Sequence, residues 1–141
     1  PRPTPSCLTS PILSSMTSVT LPLTEEQADI LLMSLETYSR LKMGQFNAVT
    51  DLFPARDFDR GKAAAALQEA RQTVMPELDP RGYYGIRNLE AGEQARVAFD
   101  IQQVLRHALA WHWHPEGGIG VCYDKPYRTS REPLIRVEIQ K

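Results

Sequence analysis

A chain of 141 residues with 42% apolar and 23% charged residues fits one globular domain, large enough to bury roughly two-thirds of the surface its unfolded form exposes. Sixteen basic residues against seventeen acidic ones, a net charge of −1, exclude a broad nucleic-acid surface, which needs an excess of Lys and Arg. No run approaches the roughly eighteen apolar residues that span a bilayer, so neither a DNA partner nor a membrane is expected.

Residues 1–22 are rich in Pro, Ser and Thr and carry no helical or strand period. Such a segment buries too little apolar surface to offset its ordering entropy. It reads as a disordered or appended tail ahead of a single domain at 23–141. Met16-Thr17-Ser18-Val19 is the more natural start, which makes 1–15 an upstream extension. The segment also lacks the basic start and continuous apolar run of a signal peptide. Cys7 and Cys122 lie far apart, so no structural disulfide is expected, and the reading is a reducing cytoplasm.

The first helix opens on a capping box, Thr24 with Gln27, preceded by Leu23 and reinforced by Glu25 and Glu26 in the first turn. Ala28, Leu31, Leu32, Leu35, Tyr38 and Leu41 recur at helical spacing as its buried stripe, and Lys42 with Gly44 stops it. A short helix at about 45–52 carries Phe46 and Val49 and ends before Pro54. Asp57 or Asp59 caps a third helix that runs through Val74, with Ala63, Leu67, Ala70 and Val74 on one face. After a connector bracketed by Pro76 and Pro80, Asn88 caps the longest helix, about 89–111, with Val97, Ile101, Val104, Leu105 and Ala108 as its core positions.

Beyond Gly117-Gly118, Ile119, Val121 and Tyr123 alternate with Gly120, Cys122 and Asp124, and Ile135, Val137 and Ile139 alternate with Arg136, Glu138 and Gln140. Period two predicts two strands. Two strands alone are marginal in water, so they pack on the helices or pair across a subunit boundary. The expected fold is therefore α+β and mostly helical, with about four helices, one of them long, followed by a small C-terminal antiparallel β-hairpin.

Four constellations carry possible chemistry. His112 and His114 with Glu116, Cys122 or Asp124 lack the paired spacing of a zinc site, and His at a helix end suits the dipole without any metal. Arg96, Asp100, Gln103, His107 and Trp111 form a polar stripe on the long helix, read as a contact surface rather than a catalytic row. Arg81-Gly82-Tyr83-Tyr84-Gly85-Ile86-Arg87 sets rings beside guanidinium groups, which suits stacking on a base and pairing with a phosphate. The Tyr38–Phe46 corner contains Arg40 and Gln45, yet a turn built on Gly44 accounts for it without a pocket. No Gly-x-Ser-x-Gly elbow, phosphate loop or cofactor motif is present. No cofactor is expected.

The combination Leu23-Thr24-Glu25-Glu26-Gln27, Tyr38-Ser39-Arg40, Met43-Gly44-Gln45-Phe46, Tyr84-Gly85-Ile86, Arg96-Val97-Ala98-Phe99-Asp100 and Val104-Leu105-Arg106 resembles a group of small uncharacterised proteins of tailed bacteriophages and prophages, over roughly residues 22–135. The resemblance implies a setting, the cytoplasm of an infected bacterium, and no chemistry. Taken with the residues, it predicts a non-enzymatic phage accessory protein that evades host defence by sequestering a small anionic, nucleotide-type signalling ligand, as a homo-oligomer. The ligand-binding candidates are Arg81, Tyr83, Tyr84, Arg87, Arg106, Trp111 and Arg128. An alternative is an inhibitor that docks on a host bacterial enzyme. A third is a hydrolase that uses His107, His112 or His114 with Asp100 or Asp124.

Overall fold

The computed structural model describes residues 17–88 and 91–141. The 1–15 extension read from the sequence lies outside them, as do Leu89 and Glu90, where the long helix is expected to start. Three α-helices organise the described residues: α1 (Glu25–Lys42), α2 (Arg60–Val74) and α3 (Gly92–Trp113), with a 3₁₀ helix (Phe46–Leu52) between the first two. None is long and apolar enough to cross a membrane.

Local chemistry sets the ends of α1 and α2. The Thr24 hydroxyl accepts from Gln27 N–H while the Gln27 amide oxygen accepts from Thr24 N–H, which completes the capping box. At the other end, Gly44 N–H donates to Leu41 and Gln45 N–H to Arg40. This Schellman arrangement needs the positive φ of 79° that Gly44 adopts. A Cβ there would also lie 2.9 Å from Leu78 Cδ1, so both torsion and space demand glycine. Asp59 caps α2 by accepting from Lys62 N–H at 3.0 Å.

α1 and α3 run antiparallel and form the main layer. At one end Glu25 meets His112 and Trp113, and at the other Tyr38 donates to Gln94 and Ser39 to the Ala95 carbonyl. Small side chains allow this approach, since Ala95 is wholly buried and Ser39 nearly so. Ala28, Leu105 and Leu109 form one core cluster, joined by Leu31, Leu32 and Val137. Met43, Ala91 and Ala95 form a second, joined by Ile86. The face of α3 toward α1 is thus 95, 98, 102, 105 and 109, while Val97, Ile101, Val104 and Ala108 are only half-buried. On α2 the half-buried row is Ala63, Ala64 and Leu67, and it leads to the buried Arg71. Ala70 is exposed and Val74 is 68% exposed.

The predicted β-hairpin does not form, and among the described residues there is no strand. The fold is helical, not α+β. Around Ile119–Asp124 the backbone is folded into turns, with Tyr123 N–H donating to Gly120 and Asp124 N–H to Val121. The carbonyls that a ladder would use are taken by α3: His107 Nδ1–H donates to Cys122 O at 3.1 Å and Trp111 Nε1–H to Tyr123 O at 3.3 Å. Alternation there does not express burial either, since Ile119 is fully exposed and Val121 is 67% exposed. The other half, 131–141, crosses α3 on its own.

What holds that C-terminal segment is Asp100. Its carboxylate, buried on α3, accepts from Thr129 N–H and Oγ1–H at 2.9 and 2.6 Å, and from Ser130 N–H and Oγ–H at 2.9 and 2.7 Å. Val137 then reaches the core cluster.

The Glu25 clasp titrates. His112 Nε2 lies 2.9 Å from one carboxylate oxygen, and the Trp113 indole donates to the other. The hydrogen bond from His112 first, then that from Trp113, holds the Glu25 carboxyl below the usual carboxylate range. A depressed folded pKa confers stability above the unfolded value, about 4.3, that is lost as pH falls through the folded one. Wild type should therefore melt above Glu25→Gln at neutral pH and converge with it in acid. Parallel melting curves across pH 3–7 would show that the clasp contributes nothing.

Candidate functional site

A groove of about 230 Å³ opens between α1, the 83–86 segment and α3. From α1 and its end come Glu36, Ser39, Arg40, Met43 and Gln45; from the connector come Tyr83, Gly85 and Ile86; from α3 come Phe99, Gln102, Gln103 and Arg106. The Schellman turn is what places Gln45, three residues past the last helical position, so that its amide bridges Arg40 Nη1 at 3.1 Å and the Tyr84 carbonyl at 2.8 Å. Residues 99, 102, 103 and 106 share one side of α3 by their spacing of three and four.

The two guanidinium groups are not equivalent. Arg40 is compensated: Nε and Nη2 lie 3.1 and 3.0 Å from one Glu36 oxygen. Arg106 meets no carboxylate among the described residues. Its Nη2 donates to Gln103 Oε1 at 2.7 Å, and its Nε–H is buried without a partner. A buried donor left unmade costs on the order of 1–3 kcal/mol, and the Arg71 Nε–H shares that state. Arg106 is thus the one uncompensated positive charge on the wall. Gln103 also donates to Gln102, which is buried, so amides and guanidinium form a connected polar row that lines the groove together with Tyr83 and Phe99.

Of the seven candidates from the sequence, Tyr83 and Arg106 line this groove and the other five stand elsewhere. Tyr83 is 79% exposed and forms the rim. Tyr84 turns inward: its hydroxyl accepts from Asp79 N–H at 3.0 Å, and its ring lies beneath the Arg71 guanidinium at 5.8 Å. Arg87 lies over the Tyr127 ring at 5.8 Å. Arg81 is exposed, its N–H donating to the Asp79 carboxylate at 2.8 Å. Trp111 packs edge-on against Tyr123 at 5.6 Å and His107 at 6.4 Å. Arg128 is exposed. The ring-and-guanidinium groups therefore serve three local structures, and of the rings and guanidinium groups of the Arg81–Arg87 run only Tyr83 lines the groove, beside Gly85 and Ile86.

Glu36, Phe99 and Gln102 gave no chemical signal in the sequence. Arg40 and Gln45 did, but the turn explained them; the turn is real, and it also builds the groove wall. The histidines do not join a catalytic row. His107 bonds a backbone carbonyl, Asp100 is engaged by Thr129 and Ser130, and His112 and His114 meet Glu25 and Glu116 at the far end of α3. Among the described residues no group of three His, Cys, Asp or Glu side chains could hold a metal ion.

No family model, curated protein or solved structure matches the chain.

Proposed function

We propose that the chain is a binding protein that holds a small anionic ligand in the groove between α1 and α3, with Arg106 as the anchor for negative charge. The observation that carries this is the uncompensated Arg106, with a buried donor free, beside two glutamine amides and two aromatic rings. A guanidinium fork matches a phosphate or carboxylate, an amide row matches the polar edge of a planar ring, and the Tyr83 face supplies stacking. The volume sets the size class. At about 230 Å³ the groove lies below the roughly 300 Å³ at which drug-sized sites begin. It suits a mononucleotide-sized molecule or smaller, and a single chain does not enclose a dinucleotide. The setting proposed with it, the cytoplasm of an infected bacterium, rests on the sequence resemblance, and sequestration of a signalling molecule is part of this proposal.

Thermal-shift titrations with 5′-AMP, 5′-GMP, their nucleosides and inorganic phosphate test this. A nucleotide at a hundred times its Kd should stabilise the fold by about 2.7 kcal/mol. Arg106→Ala should weaken the nucleotide at least about tenfold and leave the nucleoside little changed, whereas Tyr83→Ala should weaken both. Flat responses throughout, or a nucleotide shift that survives Arg106→Ala, would remove this function.

A further inference from the structure

We infer that residues 134–140 form a docking edge for a second copy of this chain, the two segments pairing antiparallel about a two-fold axis through Val137. The segment is extended, and among the described residues no backbone–backbone hydrogen bond ties 133–141 to any other part of the chain. Its β-branched Ile135, Val137 and Ile139 alternate with Arg136, Glu138 and Gln140. One face lies toward the body, with Val137 on the Ala28, Leu105 and Leu109 cluster and Ile135 beside Val97 and Ile101. The edge is left open, and a bare edge carrying β-branched residues is a template for another strand. The other half of the expected hairpin cannot supply that strand, because residues 119–124 are bent into turns and bonded to α3.

The occupant follows from the sequence of the segment. About an axis at Val137, Ile135 of one copy faces Ile139 of the other, Val137 faces Val137, and Arg136 faces Glu138 twice. Within 135–139 every apolar residue meets an apolar one and both charged pairs are of opposite sign, while at the ends Leu134 faces Gln140. A shift of the axis to Arg136 or Glu138 sets like charges opposite one another, and a shift by half that step mixes the two faces. Parallel pairing in register stacks Arg on Arg. One register out of these satisfies both faces, and it is self-complementary as a two-fold interface must be. Neither Arg136 nor Glu138 has an ion-pair partner within the single chain among the described residues.

Sedimentation velocity of the full chain over a range of concentrations tests the pairing. Wild type should show a monomer–dimer equilibrium. Arg136→Glu and Glu138→Arg, both at exposed positions that leave the helical circular dichroism unchanged, should each weaken the dimer at least about tenfold, because both pairs become like-charged. The double variant R136E/E138R should recover the wild-type Kd, and an equimolar mixture of the two single variants should recover it as a heterodimer. A wild type that stays monomeric at every concentration would overturn the proposal. So would a dimer indifferent to the single reversals, or one that neither the double variant nor the mixture restores.

Discussion

Asp100→Ala should destabilise the chain by about 3 kcal/mol, the cost of leaving several donors around a buried site without an acceptor. Four hydrogen bonds converge on this carboxylate. Truncation removes all of them, and Ser130 is too deeply buried for water to replace the two it loses. In a chain of this size the loss corresponds to a fall of roughly 10 °C in Tm. Thr129→Val and Ser130→Ala each remove a hydroxyl and keep the backbone N–H, so each should cost about 1 kcal/mol.

The deficit should also depend on pH. Burial on its own pushes the Asp100 carboxyl up, but the hydrogen bonds from Thr129 and Ser130 outweigh it, and the group ends below the usual range. Stability from a depressed pKa is complete above the unfolded value, about 3.9, and is lost as pH falls through the folded one. Urea titrations of wild type and Asp100→Ala should therefore differ most at neutral pH and converge in acid. A deficit below about 1 kcal/mol, or one independent of pH, would show that Asp100 does not pin the C-terminal segment.

Arg71→Ala should cost a similar amount, about 3 kcal/mol. This side chain is 6% exposed and serves three carbonyls. Nη1 donates to Pro80, and Nη2 to Asp79 and Gly82, at 3.1–3.2 Å. Its guanidinium also lies over the Tyr84 ring and against Gly44. It therefore joins the end of α2, the end of α1 and the connector that carries Tyr83 to the groove. Arg71→Lys keeps the charge but not the planar fork, so an ammonium should recover less than half of the loss. Two readouts separate the global and local effects. Urea unfolding reports the total, and limited trypsin digestion should cleave after Arg81 and Arg87 faster in Arg71→Ala as the connector opens. Unchanged cleavage with unchanged stability would mean that the connector is held by its own turns.

The two ends of α1 were the most legible part of the sequence, and for a plain reason. The capping box at Thr24 and the turn at Gly44 are closed by atoms within three to five residues of each other. The Asn88 cap expected for the long helix, by contrast, is not used: α3 runs Gly92–Trp113 with no side-chain cap. Side-chain roles were legible where a residue had one available use. They were not where two uses competed. Tyr84 and Arg87 have the chemistry of ligand contacts, yet one is consumed by Asp79 and Arg71 and the other by Tyr127, partners supplied from other segments. The stripe of α2 was misplaced because Ala70 and Val74 continue an apolar spacing as well as Arg71 continues a polar one. An arginine on the buried face looks like an error until three carbonyls are brought to it.

The same distinction governs the C-terminal region. Alternation of apolar and polar residues predicts that a segment can be a strand, but a strand needs a neighbour with free carbonyls and N–H groups. Around 119–124 those carbonyls went to His107 and Trp111, whose side chains no sequence period links to them. By itself the sequence determined where α1 starts and stops, narrowed the start of α2 to Asp57 or Asp59, and showed that a long helix carries both core and polar stripes, because these depend on torsions and contacts a few residues apart. Only the tertiary structure decided which stripe of each helix is buried, which of the two groove guanidinium groups stays uncompensated, and that the alternating segments never meet among the described residues, because each of those outcomes is a competition for partners between parts of the chain far apart in sequence.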